Sequence, residues 1–249
     1  MSGHSKWATI KRKKASTDAA RGRAFTQVVK EITVAARLGG GVPDGNPRLR
    51  IAIDKAKAIN MPAENIKRGI MKGTGELPGV TYEDITYEAY APGGVALIIE
   101  CLTDNKNRAV AEIRHNLEKN GGKLAAAGAV AYMFHYKGTI AIPKAKYSED
   151  DILAVVLDAG ADDMNTEGEF YEVLTTPDNF EAVKSALESK GITIESAETS
   201  KLPETHVKVE GKDAGAVLRI MEFLESHDDV QHVYANFDID EKTMEEFGG

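Results

Sequence analysis

Apolar residues recur at three- and four-residue steps from Asp18 onward. Phe25, Val28, Val29, Ile32 and Ala35 or Ala36 share one face, which predicts a helix stopped by Gly39-Gly40-Gly41. After the turn Pro43-Asp44-Gly45, Asn46 is placed to cap and Pro47 to open a second helix that turns Leu49, Ala52, Ile53, Ala56 and Ile59 inward. Asn60-Met61-Pro62 breaks that helix, because the proline pushes Met61 off helical angles and then suits the first turn of a third. The third helix carries Ile66, Ile70 and Met71 inward and runs to about Lys72, and Gly73 to Gly79 reads as a linker.

At Tyr82 the period becomes two. Ile85, Tyr87 and Ala89 alternate with polar residues, Pro92-Gly93-Gly94 turns, and Val95 to Leu102 is apolar enough for a central strand. A helix with Val110, Ile113 and Leu117 follows, ended by Gly121-Gly122. Strands are then expected at Val130 to Tyr136 and, after a turn at Lys137-Gly138, at Thr139 to Ile142. A second αβ unit opens at the capping-box spacing of Ser148 to Asp151, with Ile152, Val155, Val156 and Ala159 as its stripe. It continues through a strand at Phe170 to Leu174, a helix with Phe180, Val183 and Leu187, and a strand starting at Ile192 and Ile194. Val207 and Val209, a helix with Ala214, Val217, Leu218, Met221 and Leu224, and a strand through Val233, Ala235, Phe237 and Ile239 close the chain. The whole reads as α+β: an N-terminal three-helix domain and repeated ferredoxin-like αβ units.

Charge changes the picture. The chain's net charge is -8, but residues 1–79 hold 16 Lys plus Arg against 6 Asp plus Glu, whereas the remainder holds 15 against 33. Such segregation suggests a basic end that meets a polyanion and an acidic body that does not. The first 25 residues are the extreme case: Lys6, Lys11, Arg12, Lys13, Lys14, Arg21 and Arg23 face a single acid, Asp18, and the chain's only tryptophan, Trp7, stands beside the basic run. These features suit a nucleic-acid arm in which cations neutralise phosphates and the indole stacks on a base. The alternative is a solvated tail whose Trp7 folds back onto its own domain. Lys30, Arg48, Arg50, Lys67 and Arg68 extend the candidate surface over the helices. A helix-turn-helix reading, with Asn65, Lys67 and Arg68 in a major groove, is the less favoured one, since the pattern is shared by any helical hairpin.

Other chemistries find little support. The single cysteine, Cys101, lies in an apolar strand and forms no intramolecular disulfide, which suits a reducing compartment. Ala15-Ser16-Thr17-Asp18 stands where a signal peptide would need an apolar core, and no apolar run approaches a membrane span, so a cytoplasmic protein with no membrane partner is expected. Neither a P-loop nor a dinucleotide fingerprint is present, and His227 and His232 around Asp228 and Asp229 lack zinc-type spacing. No catalytic residue, metal or cofactor is expected. Asp158, Asp162, Asp163, Glu167 and Glu169 form the densest acidic run, read first as a solvated face and alternatively as a dock for a basic protein.

The stretches Gly3-His4-Ser5-Lys6-Trp7, Arg21-Gly22, Phe25-Thr26, Lys30-Glu31-Ile32, Asn46-Pro47-Arg48-Leu49-Arg50 and Asn60-Met61-Pro62 resemble the YebC family. The resemblance runs on through Tyr87-Glu88, Gly93-Gly94-Val95, Thr103-Asp104-Asn105-Lys106-Asn107-Arg108 and Val233-Tyr234-Ala235-Asn236-Phe237; Val42, where many members carry an acid, is a mild departure. It implies three domains with the third inserted in the second: residues 1–79, residues 80–133 with 204–249, and residues 134–203. Members are described as transcriptional regulators in bacteria, the mitochondrial relative resembles a translational activator, and bacterial members are linked to relief of stalled ribosomes. The expectation is a regulator of gene expression that binds DNA, with a ribosome-associated factor binding ribosomal RNA as the alternative.

Overall fold

The computed structural model describes Trp7 and residues 18–248. Helices α1 (Asp18–Gly39), α2 (Pro47–Ala58) and α3 (Ala63–Thr74) form the N-terminal unit. Its core is the predicted set with Met61 added and Met71 left out: Ile32, Ala35, Ala36, Leu49, Ala52, Ala56 and Met61 are buried, with Phe25, Val28, Val29, Ile66 and Ile70 packed around them. Asn46 ties the first turn together. Its Oδ1 accepts the Leu49 N–H at 3.1 Å as the α2 cap, while its Nδ2 donates to the carbonyls of Ala35 (2.7 Å) and Gly40 (2.8 Å) at the end of α1. α2 ends with Asn60 at φ 57, the Asn60 N–H bonded to Lys57 O and the Met61 N–H to Ala56 O, so left-handed Asn60 turns the chain before Pro62. α3 meets α1 through two glycines a helical turn apart. A Cβ at Gly69 would come within 3.0 Å of Ile32, and one at Gly73 within 2.4 Å of the Thr33 carbonyl oxygen.

Strands β1 (Glu83–Ala91) and β2 (Val95–Thr103) form the predicted hairpin, followed by α4 (Lys106–Lys119) and β3 (Lys123–Leu124). After an intervening unit come β8 (Val207–Lys208), α7 (Gly211–Ser226), β9 (Val230–Ala235), β10 (Phe237–Asp238) and α8 (Glu241–Gly248). The first sheet has the order β3-β1-β2-β9 with antiparallel neighbours. α4 and α7 pack Ile113, Leu117, Val217 and Met221 against Leu97 and Ile99 on one face.

The intervening unit comprises β4 (Phe134–Pro143), α5 (Glu149–Asp158), β5 (Asp163–Asn165), β6 (Phe170–Thr175), α6 (Phe180–Ser189) and β7 (Ser196–Pro203). Its sheet order is β5-β6-β4-β7, the ferredoxin-like βαββαβ arrangement, over a core of Ile140, Ile142, Ile152, Val156, Val173, Val183 and Leu187. The first sheet repeats that spatial order with permuted connectivity: β1, which separates β2 from β3, precedes them in the chain. The third unit is inserted in the second through one stalk, because Phe134 and Pro203 are cross-strand partners.

Several local expectations need revision: the strand expected from Ile192 and Ile194 begins only at Ser196, and Gly73 lies inside α3 and not in a linker. No turn occurs at Lys137-Gly138: β4 runs straight through, and Gly138 is there for close approach, since a Cβ would lie 2.3 Å from Thr175 Oγ1 and 2.6 Å from the Phe180 ring. Val130 is not in a strand. It is buried with Ala96, Ile98, Phe134 and Tyr234 under a loop held by Glu88, whose carboxylate accepts the N–H groups of Gly128 (2.6 Å), Val130 (2.6 Å) and Ala131 (2.9 Å). The final strand divides at Asn236, whose Oδ1 accepts the Ala96 N–H at 2.7 Å, after which β10 leaves the first sheet to pair in parallel with β8.

Gly73→Ala is expected to destabilise by about 1 to 3 kcal/mol because backbone stands in the way, whereas Gly22→Ala, whose Cβ meets nothing within 4 Å, should be neutral or stabilise by up to about 1 kcal/mol. Chemical denaturation of the two variants checks this; equal effects would show that α3 does not pack as closely as described.

Candidate nucleic-acid interface

Among the described residues, the candidate cations of the N-terminal third divide into those that hold the units together and those that stay free. Lys30 belongs to the first group. It is 7% exposed, and its Nζ donates to Asp229 Oδ1 at 2.6 Å and to the Asp228 carbonyl at 2.8 Å. Asp229, 2% exposed, also accepts from Thr103 Oγ1 at 3.0 Å and Arg108 at 2.8 Å. Arg108 reaches Asp104 as well, and the Asp229 N–H donates to His227 Nδ1. Gln27 adds a bond to the Val230 carbonyl at 2.8 Å. Thus α1 is fastened to the ends of β2 and β9 by a buried cation whose partners are all supplied. Lys30 is therefore corrected from a phosphate contact to a structural residue.

Burial alone would raise the Asp229 pKa, but the bonds from Arg108, Lys30 and Thr103 outweigh it and hold the carboxyl below its usual range. Glu100, on the outer face of the first sheet, behaves similarly: burial opposes ionisation, yet His232 and Lys201 bring it down to about 2. Its contacts to Lys201 (2.5 Å) and His232 (3.2 Å) join the inserted unit's β7 to β2 and β9. His227, with its Nε2 2.7 Å from Glu112, and His232, with its Nδ1 3.2 Å from Glu100, are each paired with a carboxylate.

Trp7 requires the second correction. It is 1% exposed inside the core of the second unit, its Nε1–H donates to Glu225 at 3.0 Å, and its ring lies 6.2 Å from that of Phe247. A buried indole with its donor satisfied is not available to stack on a base, so the folded-back alternative describes it. Trp7 also lies across the 79/80 boundary from the helices. The first 79 residues are therefore not detachable without opening the second core.

Arg48 is the third. Its guanidinium bonds Glu31 at 2.7 Å and Asp84 at 3.2 Å, linking α1, α2 and β1, and these bonds raise its pKa further, chiefly through Glu31. Beside it a cleft of about 420 Å³ lies between the helices and the outer face of the first sheet. Both signs line it, with Glu31, Asp84 and Glu100 set against Arg48 and Lys55, so it has no bias toward a polyanion.

The remaining candidates among the described residues stay free. Arg21, Arg50, Lys67 and Arg68 are exposed and Arg23 half-exposed, and among the described residues none has an ion-pair partner. Arg68 and Lys72 stand one turn apart on α3, and Lys67 and Arg68 lie away from the face on which Gly69 and Gly73 meet α1. Arg37, Lys55 and Lys72 are equally exposed; sequence reading left them out, although the same charge excess would have included them. Lys6, Lys11, Arg12, Lys13 and Lys14 lie outside the described residues.

Comparison with known proteins agrees with this architecture. The profile of the TACO1/YebC protein N-terminal domain matches residues 5–76, and that of the TACO1/YebC second and third domain matches residues 82–237. The chain belongs to the TACO1/YebC family. Relatives named "Probable transcriptional regulatory protein" include one from Acidobacterium capsulatum, 54% identical over the full length of both chains. Another, from Geobacter sulfurreducens, is 55% identical over 98% of this chain and 99% of its own. The crystal structure of a conserved hypothetical protein from Aquifex aeolicus superposes with a TM-score of 0.76 at 45% identity, covering 90% of this chain and 92% of that one. Several motifs that carry the family resemblance serve the frame: Lys30, Asn46, Glu88, Thr103, Arg108 and Asn236 each hold a junction described above.

Two expectations follow. Trp7→Ala should cost about 3 to 5 kcal/mol, the usual loss for a buried tryptophan; unchanged stability in denaturant would place the indole outside the core. Because the folded pKa of Asp229 is depressed, its contribution is present above the unfolded value of about 3.9 and is lost as pH falls through the folded value. Asp229→Asn should therefore lower stability at neutral pH and flatten the acid side of the stability profile, which pH-dependent thermal unfolding of both proteins measures; parallel profiles would contradict this.

Proposed function

We propose that this protein is a cytoplasmic, non-catalytic regulator of gene expression that binds the phosphate backbone of nucleic acid through the solvent faces of its N-terminal helices. The carrying observation is the set Arg21, Arg23, Arg50, Lys67 and Arg68, which lack ion-pair partners among the described residues in the only strongly basic part of an acidic chain. Cations that contribute nothing to the frame favour a polyanion over a structural role. The names carried by relatives support transcription as the process, and duplex DNA is the polymer that this reading takes. Burial of Trp7 supports the same preference, because base stacking on aromatics is what single-strand binders add to phosphate contacts. A cytoplasmic setting fits Cys101, which burial pushes up to about 12 and which stays a thiol.

Each phosphate neutralised contributes about -0.9 to the slope of log affinity against log salt on duplex and about -0.7 on single strands. Arg50→Ala/Lys67→Ala/Arg68→Ala should flatten the slope by roughly 2 to 3 on every duplex sequence alike, with unfolding unchanged. An unchanged slope would remove these residues from the interface. Tighter binding of the intact protein to ribosomal RNA than to duplex DNA would replace the transcriptional reading with the translational one.

A further inference from the structure

Beyond residue 79 the chain is acidic, yet one end of the first sheet gathers cations. The turn Pro92-Gly93-Gly94, the C-terminal end of α4 and the first turns of α7 surround a cleft of about 330 Å³ lined by Lys119, Lys212 and Arg219 with Asn120, Gly121 and Asp213. A second hollow adjoins it across Pro92, bounded by Gly93, Gly94, Gly121 and Lys123. All four cations are exposed, and among the described residues none has an ion-pair partner. Arg219 is positioned there: its Nε donates to Asn120 Oδ1 at 3.1 Å, and Asn120 is itself fixed by a bond from its Nδ2 to the Asn116 carbonyl at 3.0 Å.

The cations of this cleft are only partly balanced in the free protein. Lys212 stands in the first turn of α7, where the helix dipole disfavours a cation, and Asp213 is the one acid lining the cleft against three like charges. An anion in the cleft offsets both effects. The mouth suits a bulky one, because Gly93, Gly94 and Gly121 hold φ values of 75, 80 and 79, and the side of Gly94 where a Cβ would stand is empty to 4 Å. A guanidinium fork together with two ammonium groups matches tetrahedral phosphate oxygens better than a planar carboxylate held by one side chain.

We propose that this cleft is a second phosphate-recognition site, taking a phosphodiester group of the same nucleic acid that the N-terminal helices bind; it therefore rests on the function proposed above. The two contact regions lie at opposite ends of β2. The N-terminal helices are fastened near Leu102, whereas the cleft begins at the turn before Val95, so the strand alone separates them by roughly 23 to 26 Å at about 3.3 Å per residue. A duplex of about eight base pairs covers that distance, at 3.4 Å per pair.

The test uses the full chain and a labelled 30-base-pair duplex. Lys119→Ala/Lys212→Ala/Arg219→Ala should flatten the salt slope by roughly 2 to 3 while leaving thermal unfolding unchanged, and pyrophosphate should compete with the duplex for the wild type more effectively than for this variant. An unchanged slope in the cleft variant, with a reduced slope in the variant of the N-terminal helices, would overturn the second site and leave the proposed function standing. Unchanged slopes in both would overturn the nucleic-acid reading itself. Calorimetric pyrophosphate binding that the cleft substitutions abolish, together with an unchanged duplex slope, would assign the cleft to a small phosphate compound and overturn the strand contact.

Discussion

The ion pair between Lys30 and Asp229 is the constraint on which the arrangement of units depends. Both groups are buried, so their desolvation is offset only if every remaining lone pair and proton finds a partner. Those partners come from separate parts of the chain: Thr103 from the end of β2, Arg108 from α4, and the Asp228 carbonyl from the approach to β9. Removing any one leaves a buried charge incompletely satisfied. The N-terminal helices are therefore held in a set orientation on the first sheet, with Arg48 bridging Glu31 and Asp84 on the cleft side of the same junction. The inserted unit is attached by the stalk at Phe134 and Pro203 and the contacts of Lys201 with Glu100.

This seam also sorts the positive charge. Lys30 and Arg48 come from the same basic third as Arg50, Lys67 and Arg68, but the first two are neutralised by acids while the others face water. The inserted unit has the opposite balance, with 6 lysines and no arginine against 14 acids in residues 134–203. A polyanion approaching the molecule is thus drawn to the helices and repelled by the inserted unit, which orients encounter before contact is made.

Helix faces and the hairpin were legible because their signals are local: a 3.6-residue stripe, the Asn46-Pro47 start and the Pro92-Gly93-Gly94 turn all act within a few residues. What escaped reading depends on neighbours distant in sequence. Gly138 looked like a turn because nothing local reveals that Thr175 and Phe180 press against it. Val130 looked like a strand because the Glu88 carboxylate that collects the loop's N–H groups lies some forty residues earlier. For the site, charge segregation located the basic third but could not separate Lys30 from Lys67, since burial is decided by Asp229 about two hundred residues away. Trp7 was misplaced for the same reason: its pocket is built by Glu225 and Phe247.

Trp7, Lys30 and Arg48 hold the frame, and in the proposed division of labour the free cations of the helices and the cleft bind nucleic acid. Because Trp7 is the only tryptophan, its fluorescence reports on that division directly. Emission is recorded in the free protein and through a nucleic-acid titration, with anisotropy of a labelled duplex marking saturation. The account predicts blue-shifted emission at the start and the same spectrum at saturation. Quenching that follows the binding curve would place the indole on the bases and contradict it.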